Sequence, residues 1–210
     1  MSHKNPDRIS EYEFSIGVRL THWIRFIAIT LLVVSGYYIS YVFMSPEITS
    51  EPTNFMQAKW RLAHQVAGFV LIAVFIFKFY LFVFDKHSKK EWMSVLDFLS
   101  PKVWIAQIKY YIFMGPHPHL RGVYNPLQFA SYFFFYVILA LICLTGLVLY
   151  AHVYHNGLGG AIYEPARYFE ELMGGLANVR TIHRICMWII MIFVPIHVYM
   201  AIFNAVKGKN

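Results

Sequence analysis

Four long apolar stretches divide this chain, and each is long enough to cross a lipid bilayer as a helix. A helix needs about 20 residues to cross the hydrocarbon core. The stretches lie at roughly 16–43, 60–84, 126–151 and 181–206. Because 58% of the 210 residues are hydrophobic and only 14% are charged, a water-soluble domain is excluded. The sequence therefore predicts an all-α integral membrane four-helix bundle, with residues 1–210 forming a single transmembrane domain.

The connection between the second and third spans is the longest, and its sequence predicts a short helix in the membrane interface. Residues 85–91 (DKHSKKE) are expected to be solvated. Ser100 can then cap a helix, and Pro101 suits its first position. This helix is too short to span, and its Trp, Tyr and Lys side chains suit the interface. Another short helix is predicted from Pro165 to Leu172, between the third and fourth spans.

Lysine and arginine residues are unevenly distributed between the two sets of loops. The two terminal segments and the 85–121 connection together carry eleven, whereas the other two loops carry five. Because basic loops stay in the cytoplasm, both termini are predicted to be cytoplasmic. The net charge of +7 is explained by basic loops facing anionic lipid. We therefore expect membrane lipid, and no nucleic acid, as a partner.

Four histidines lie near the ends of the spans: His22, His64, His183 and His197. An ionisable side chain inside a membrane span indicates a functional site. In the predicted orientation, His64 and His183 lie near the outer face, and His22 and His197 lie near the cytoplasmic face. Fourteen residues separate His183 from His197, which is nearly four helical turns and about 21 Å. Both side chains therefore point to the same side of the fourth span.

Each depth-matched pair can supply two imidazoles to one haem iron, an arrangement that suits electron transfer. Gly36, fourteen residues after His22, and Gly68, one turn after His64, would allow helices to approach a flat macrocycle closely. Ordinary helix packing explains these glycines equally well. A histidine-based metal transporter and a purely structural membrane anchor are the alternatives. A transition-metal transporter would normally have carboxylates or cysteines beside the histidines.

Two stretches resemble the b-type cytochrome subunit of membrane-bound nickel–iron hydrogenases, which is related to the cytochrome b subunit of respiratory formate dehydrogenase. The first is RLTHWIRFIAITLLVVSG at 19–36, in which Ser35 stands where that family most often has Thr. The second is RTIHRICMWIIMIFVPIH at 180–197. The similarity in hydropathy, length and histidine placement covers nearly the whole chain. The resemblance implies a multi-pass protein of the bacterial cytoplasmic (inner) membrane.

The resemblance also implies two non-covalent b haems, with His22, His64, His183 and His197 as the axial ligands. It implies the nickel–iron hydrogenase small and large subunits as partners, and menaquinone or another quinone as electron acceptor. Electrons from the partner would enter the outer haem, pass to the inner haem and reduce quinone near the cytoplasmic face. The chain itself would not react with hydrogen. A formate dehydrogenase or another respiratory oxidoreductase is the alternative partner.

Several other polar residues are candidates for cofactor contacts. Arg184 and Arg19 flank histidine ligands and suit haem propionates, with snorkelling to lipid headgroups as the alternative. Asn125 and Tyr124, at the start of the third span, suit hydrogen bonds to a quinone, although Asn125 suits a helix cap equally well. Lys78 is expected to contact an inner propionate or a quinone, or to snorkel toward the cytoplasmic face.

Overall fold

The computed structural model describes residues 15–44, 55–85, 89–112, 114–116 and 119–207. Within these ranges the regular structure is entirely helical. The helices are α1 Ile16–Ser40, α2 Met56–Phe84, α3 Lys89–Phe98, α4 Pro101–Tyr111, α5 Pro126–Val153, α6 Leu158–Ala161, α7 Tyr163–Leu172 and α8 Leu176–Lys207. Four segments are long and apolar enough to cross a membrane: α1, α2, α5 and Leu176–Tyr199 of α8. The predicted all-α class and the four spans are therefore confirmed.

The long helices carry large apolar side chains on their outer surfaces. Ile76 and Phe79 on α2 are 62% and 65% exposed, and Ile192 on α8 is 62% exposed. Soluble monomers rarely expose contiguous apolar surface of this kind, which marks a membrane or protein interface. These side chains suit a hydrocarbon environment.

The chain forms two compact units, and helices α1, α2 and α5 contribute residues to both. The described residues of the first unit fall within Met1–Ile24 and Ile76–Phe129, and those of the second fall within Arg25–Phe75 and Ala130–Asn210. The expectation of a single domain over 1–210 stays a prediction.

In the second unit the four long helices pack around a shared apolar core. Ala28 of α1, Leu71 of α2, Leu139 of α5 and Ile190 of α8 are buried together in one cluster. Each of the four helices thus buries one stripe of its surface against the others, as in a helix bundle. This bundle carries three of the four histidines singled out by the sequence.

The loop between α5 and α8 folds back onto the bundle of the second unit. Ala166 of α7 is buried with Val148 of α5 and Val179 of α8. Helix α7 begins two residues before the predicted start of the short helix and ends at the predicted residue. Gly174 and Gly175 follow it with φ values of 83° and 97°, which glycine adopts without steric cost. The short helix predicted in this loop is confirmed.

In the first unit, the connection from α2 to α5 contains two helices rather than one. Helix α4 begins at Pro101 with Ser100 at its N-cap position, as predicted, although the Ser100 side chain makes no capping hydrogen bond. The sequence did not predict α3. Glu91 on α3 is only 5% exposed. The expectation that residues 85–91 are solvated is therefore wrong for Glu91, which is buried beside a side chain of opposite charge.

That partner is Lys78, near the end of α2. The Lys78 Nζ lies 3.1 Å from each carboxylate oxygen of Glu91, and Lys78 itself is 9% exposed. A buried ammonium or carboxylate is tolerated when an opposite charge and good hydrogen bonds compensate its lost hydration. The pair thus links α2 to α3 within the first unit, and the sequence did not indicate Glu91 as the partner of Lys78.

Helix α3 also holds the segment that leads into α5. Asp97 Oδ2 accepts hydrogen bonds from the backbone N–H groups of Arg121 and Gly122, at 2.7 and 2.9 Å. Ser94 Oγ accepts one from the N–H of Tyr124 at 3.1 Å. Gly122 approaches Ser94 so closely that a Cβ at this position would overlap the serine. Helix α3 therefore sets where α5 begins in this unit.

Candidate metal centre

His64 of α2 and His183 of α8 face each other within the second unit. Their ring centroids are 6.3 Å apart, and their planes are inclined by 66°. A metal ion between two imidazoles sits about 2 Å from each coordinating nitrogen, and each nitrogen lies about 1.1 Å from its ring centre, so the ring centres are about 6 Å apart. The observed separation therefore leaves room for one metal ion held by both rings. The predicted outer pair is brought together.

The His64 ring is hydrogen-bonded to Ser35 on α1. His64 Nδ1 lies 2.9 Å from Ser35 Oγ, and the same hydroxyl donates to the Leu31 carbonyl at 2.6 Å. A serine hydroxyl has one hydrogen. Because the carbonyl takes it, the hydroxyl accepts from His64, and the imidazole carries its proton on Nδ1. His64 Nε2 is left with a free lone pair, which is what a metal ligand requires.

Thr145 on α5 does the same for His183. His183 Nδ1 lies 2.8 Å from Thr145 Oγ1, which donates to the Leu141 carbonyl at 2.9 Å. Thr145 is fully buried, at 0% exposure. The same reasoning places the proton of His183 on Nδ1 and a lone pair on Nε2. Both rings are thus prepared as neutral nitrogen donors.

Glycines let the two histidine rings lie close to neighbouring helices. A Cβ on Gly36 of α1 would lie 3.1 Å from His64 Cε1, tighter than ordinary contact, and one on Gly146 of α5 would lie 3.5 Å from His183 Cε1. The expected role of Gly36 near this site is supported by that contact. Gly68 is different, because its nearest neighbour would be Leu32 at 4.0 Å. Ordinary helix packing is therefore the role observed for Gly68.

A cavity of about 140 Å³ adjoins the two rings. Besides His64 and His183, it is lined by Ile39, Arg61, Gln65, Gly146, Leu149 and Tyr150. Its walls are mainly apolar and aromatic, and Arg61 brings a positive charge one turn from His64. Arg61 and Gln65 also line a second cavity, of about 390 Å³, with Tyr154. The apolar lining and the adjoining cation match the chemistry of an apolar cofactor that carries carboxylates, although a cavity of this volume would enclose only part of it.

The chemistry of the donor set fits haem. His64 and His183 could together hold one metal ion as neutral imidazoles, and glycines on neighbouring helices leave room for both rings. Across the described ranges, no group of three or more His, Cys, Asp and Glu side chains is gathered as a metal site. Structural zinc takes four protein ligands and catalytic zinc three. A haem iron needs only two, because its macrocycle supplies the others.

The predicted inner pair is divided between the two units. His22 lies in the first unit on α1 and is exposed, and His197 lies in the second unit on α8 and is half-buried. The His197 ring stacks on Phe193, with centroids 5.9 Å apart, and meets Tyr132 edge-on at 5.8 Å. The pairing of His22 with His197 stays a prediction.

The other residues predicted to contact a cofactor do not line the cavity beside His64 and His183. Arg184 and Arg19 are exposed, and neither lines that cavity. Asn125 Oδ1 accepts from the N–H of Gln128 at 2.8 Å, while Gln128 Oε1 accepts from the N–H of Asn125 at 3.2 Å. This reciprocal pair caps α5, which is the alternative role considered for Asn125. The propionate contacts and the quinone contacts of Asn125 and Tyr124 stay predictions.

Sequence reasoning missed Ser35, Thr145, Gly146 and Arg61 as parts of the centre. One signal was present, because a hydroxyl residue directly precedes a glycine both at 35–36 in α1 and at 145–146 in α5. Such pairs are ordinary in membrane helices, where small and hydroxyl residues favour close packing. Only the positions of the two imidazoles distinguish these two pairs from packing contacts.

Comparison with known proteins gives the same family as the sequence motifs. A family model described as prokaryotic cytochrome b561 matches residues 13–210. The probable Ni/Fe-hydrogenase B-type cytochrome subunit of Rhodobacter capsulatus is 31% identical over 211 residues, covering 97% of this chain and 78% of that protein. The probable Ni/Fe-hydrogenase 1 B-type cytochrome subunit of Escherichia coli (strain K12) is 30% identical over 210 residues, covering 96% and 86%. The corresponding subunit of Azotobacter vinelandii is 31% identical over 207 residues, covering 95% and 83%. The predicted resemblance is confirmed.

Proposed function

Because this chain belongs to the prokaryotic cytochrome b561 family, we propose that it holds a b haem between His64 and His183 and passes electrons through the bacterial inner membrane. The observation that carries the proposal is the facing pair of imidazoles, 6.3 Å apart, each with Nδ1 bonded to a buried hydroxyl. When bound, haem b supplies a one-electron iron couple. With both imidazoles as ligands, a bound haem would be suited to electron transfer rather than oxygen binding.

Arg61 is our candidate for binding a haem propionate at this site. It lines the same cavity as both imidazoles. Arginine binds carboxylates through paired hydrogen bonds, and its charge would offset that of the propionate. The earlier candidates, Arg184 and Arg19, are exposed like Arg61, but neither of them lines this cavity. Arg61 therefore takes precedence over them for the centre formed by His64 and His183.

We further propose a second b haem held by His22 and His197. Helix α8 carries His183 and His197 on one continuous helix, and fourteen residues correspond to about 21 Å of axial rise. The aromatic rings of Phe193 and Tyr132 beside His197 give one face of this second site an apolar lining. Two centres along one helix would carry an electron between the two sides of the membrane.

The names of the relatives suggest the electron donor. The similar proteins are named as subunits of Ni/Fe-hydrogenases, and we propose the small and large subunits of such an enzyme as partners of this chain. With both termini cytoplasmic, as the basic residues predict, the His64 and His183 centre would lie near the outer face and receive the electrons. Menaquinone or another quinone near the cytoplasmic face would accept them. A formate dehydrogenase or another respiratory oxidoreductase is the alternative donor.

The decisive experiment counts haem in the purified protein and records its reduced-minus-oxidised spectrum. We expect two b haems per chain. His64→Ala and His183→Ala should each remove one haem, and His22→Ala and His197→Ala should remove the other. His152→Ala is a matched control, because His152 also lies in a long helix but its Nδ1 is 3.5 Å from Glu170, outside the centre. This control should keep both haems.

Other outcomes identify the alternatives. A colourless protein that binds zinc through these histidines would favour a metal transporter. Partner assembly and electron transfer that survive replacement of all four histidines would favour a structural anchor. Wild-type protein without haem would overturn the proposal.

A further inference from the structure

We propose that two hydroxyl–glycine pairs, Ser35–Gly36 and Thr145–Gly146, act as matched positioning sites for His64 and His183 and lower the reduction potential of the iron between them. This inference rests on the proposed function, since it concerns the axial ligands of a haem. Neither pair supplies a ligand itself. Each lies on a different helix from the histidine that it contacts: Ser35 is on α1 and His64 on α2, and Thr145 is on α5 and His183 on α8.

The two positioning sites have the same construction. In each, the hydroxyl oxygen lies 2.8 or 2.9 Å from the histidine Nδ1, and its own hydrogen goes to a carbonyl four residues earlier in the same helix. In each, the following glycine faces Cε1 of the same imidazole, so that a Cβ would lie 3.1 or 3.5 Å away. The hydroxyl thus fixes ring orientation and proton position, and the glycine makes room for the ring.

The hydrogen bond also affects the electronic properties of the ligand. An imidazole that donates its Nδ1–H to an acceptor is a more basic ligand through Nε2. A more basic axial ligand stabilises the ferric form more than the ferrous form, so the reduction potential falls. Each hydroxyl keeps its proton and donates it as a hydrogen bond to the backbone carbonyl throughout. Reduction of this centre by one electron therefore needs no proton transfer at either hydroxyl.

A hydroxyl that bonds back to its own helix is common and by itself carries no function. Thr30 on α1 shows this ordinary case, because its Oγ1 donates to the Phe26 carbonyl at 2.9 Å and the side chain is exposed. Ser35 and Thr145 differ from Thr30 in two respects. They are 3% and 0% exposed, and each hydroxyl makes a second hydrogen bond, to the Nδ1 of an imidazole. Thr30 is therefore a matched control for loss of the hydroxyl alone.

The test is a potentiometric titration of the haems in the full-length protein, together with the electron paramagnetic resonance spectrum of the ferric form. Ser35→Ala and Thr145→Val remove one acceptor each, whereas Ser35→Thr and Thr145→Ser keep a hydroxyl. We expect an upward shift in the midpoint potential of one haem, with changed ferric g values, in the first two variants. The second two variants and Thr30→Val should stay close to the wild type, and the other haem should be unaffected in all five.

Each possible result either supports or overturns the inference about the two hydroxyl–glycine pairs. Haem that is retained with unmoved potentials in Ser35→Ala and Thr145→Val would overturn the inference but leave the proposed function intact. An equal shift in Thr30→Val would also overturn it. If one haem is lost whenever the hydroxyl is absent and retained whenever it is present, positioning is supported. If that haem is lost in all four site variants, side-chain volume rather than hydrogen bonding holds the ring, and the inference fails. A wild-type protein without haem would refute the proposed function itself.

Discussion

Gly36 is the glycine that lies closest to an imidazole of the centre. Replacing it and two other glycines by alanine tests how closely the imidazoles are packed. In Gly36→Ala the new Cβ would lie 3.1 Å from His64 Cε1 and 3.8 Å from Met187 Sδ. The first distance requires the His64 ring to move by a few tenths of an ångström. The ring is held at Nδ1 by Ser35, the residue preceding Gly36. Any movement therefore strains that hydrogen bond or displaces Nε2.

The magnitude follows from two opposing effects. Overpacking a well-packed site costs about 1–3 kcal/mol, and replacing glycine by alanine inside a helix gains about 1 kcal/mol. Gly36→Ala should therefore lower the free energy of unfolding by about 0–2 kcal/mol and weaken retention of one haem. Gly68→Ala has no such contact, since its nearest neighbour would lie at 4.0 Å. That variant should gain up to about 1 kcal/mol.

The assay is unfolding in mixed micelles with increasing sodium dodecyl sulfate, followed by far-ultraviolet circular dichroism and by Soret absorbance. Gly146→Ala supplies an intermediate point, because its Cβ would lie at an ordinary 3.5 Å from His183 Cε1. We expect haem retention to rank Gly36→Ala lowest, then Gly146→Ala, then Gly68→Ala. A Gly36→Ala variant that is as stable as Gly68→Ala and keeps both haems would refute the reasoning. An equal loss of stability and of haem in Gly68→Ala would also refute it.

Three further predictions concern the first unit. Lys78→Met leaves the buried Glu91 carboxylate without its cation and should lower the free energy of unfolding by about 3–5 kcal/mol. In a double-mutant cycle, adding Glu91→Leu should recover most of that loss. Asp97→Ala removes the acceptor of two backbone N–H groups and should lower the free energy of unfolding by about 2–3 kcal/mol. Proteolysis between α4 and α5 should be faster in Asp97→Ala than in Asp97→Asn, and equal rates would contradict this. Asn125→Ala should cost about 1 kcal/mol through loss of the α5 cap, while Asn125→Asp keeps the cap. If Asn125→Asp is stable but reduces quinone more slowly, the predicted quinone contact is supported, and unchanged quinone reduction would count against it.

Hydropathy and charge were enough to predict the spans and the outer histidine pair. The long apolar runs require helices in a bilayer, because every backbone polar group must be satisfied within the helix. The distribution of Lys and Arg then gives the depth of each histidine. Depth alone suggested that His64 and His183 meet, and their ring centroids are 6.3 Å apart. The predicted limits of α1, α2 and α5 lie within four residues of the observed ones.

The parts that the sequence did not reveal depend on which helix surfaces face each other. Hydropathy along the chain contains no such angular information when a helix is apolar on all sides. Helix α3 was missed because its charged residues resemble a solvated loop, and only the proximity of Lys78 makes a buried Glu91 tolerable. Ser35 and Thr145 were missed for the same reason. Their partners lie 29 and 38 residues away in the sequence, on other helices.

The structure also shows how four helices take part in a centre with two protein ligands. An imidazole in hydrocarbon must satisfy its Nδ1–H, because an unpaired buried donor costs about 1–3 kcal/mol. In this centre the acceptor hydroxyl of each imidazole lies on a second helix, which approaches closely enough to reach the ring. A hydroxyl followed by glycine meets both needs, and α1 and α5 each provide one such pair. Helices α1 and α5 thus contribute no ligand to this centre, yet they determine the orientation of both ligands.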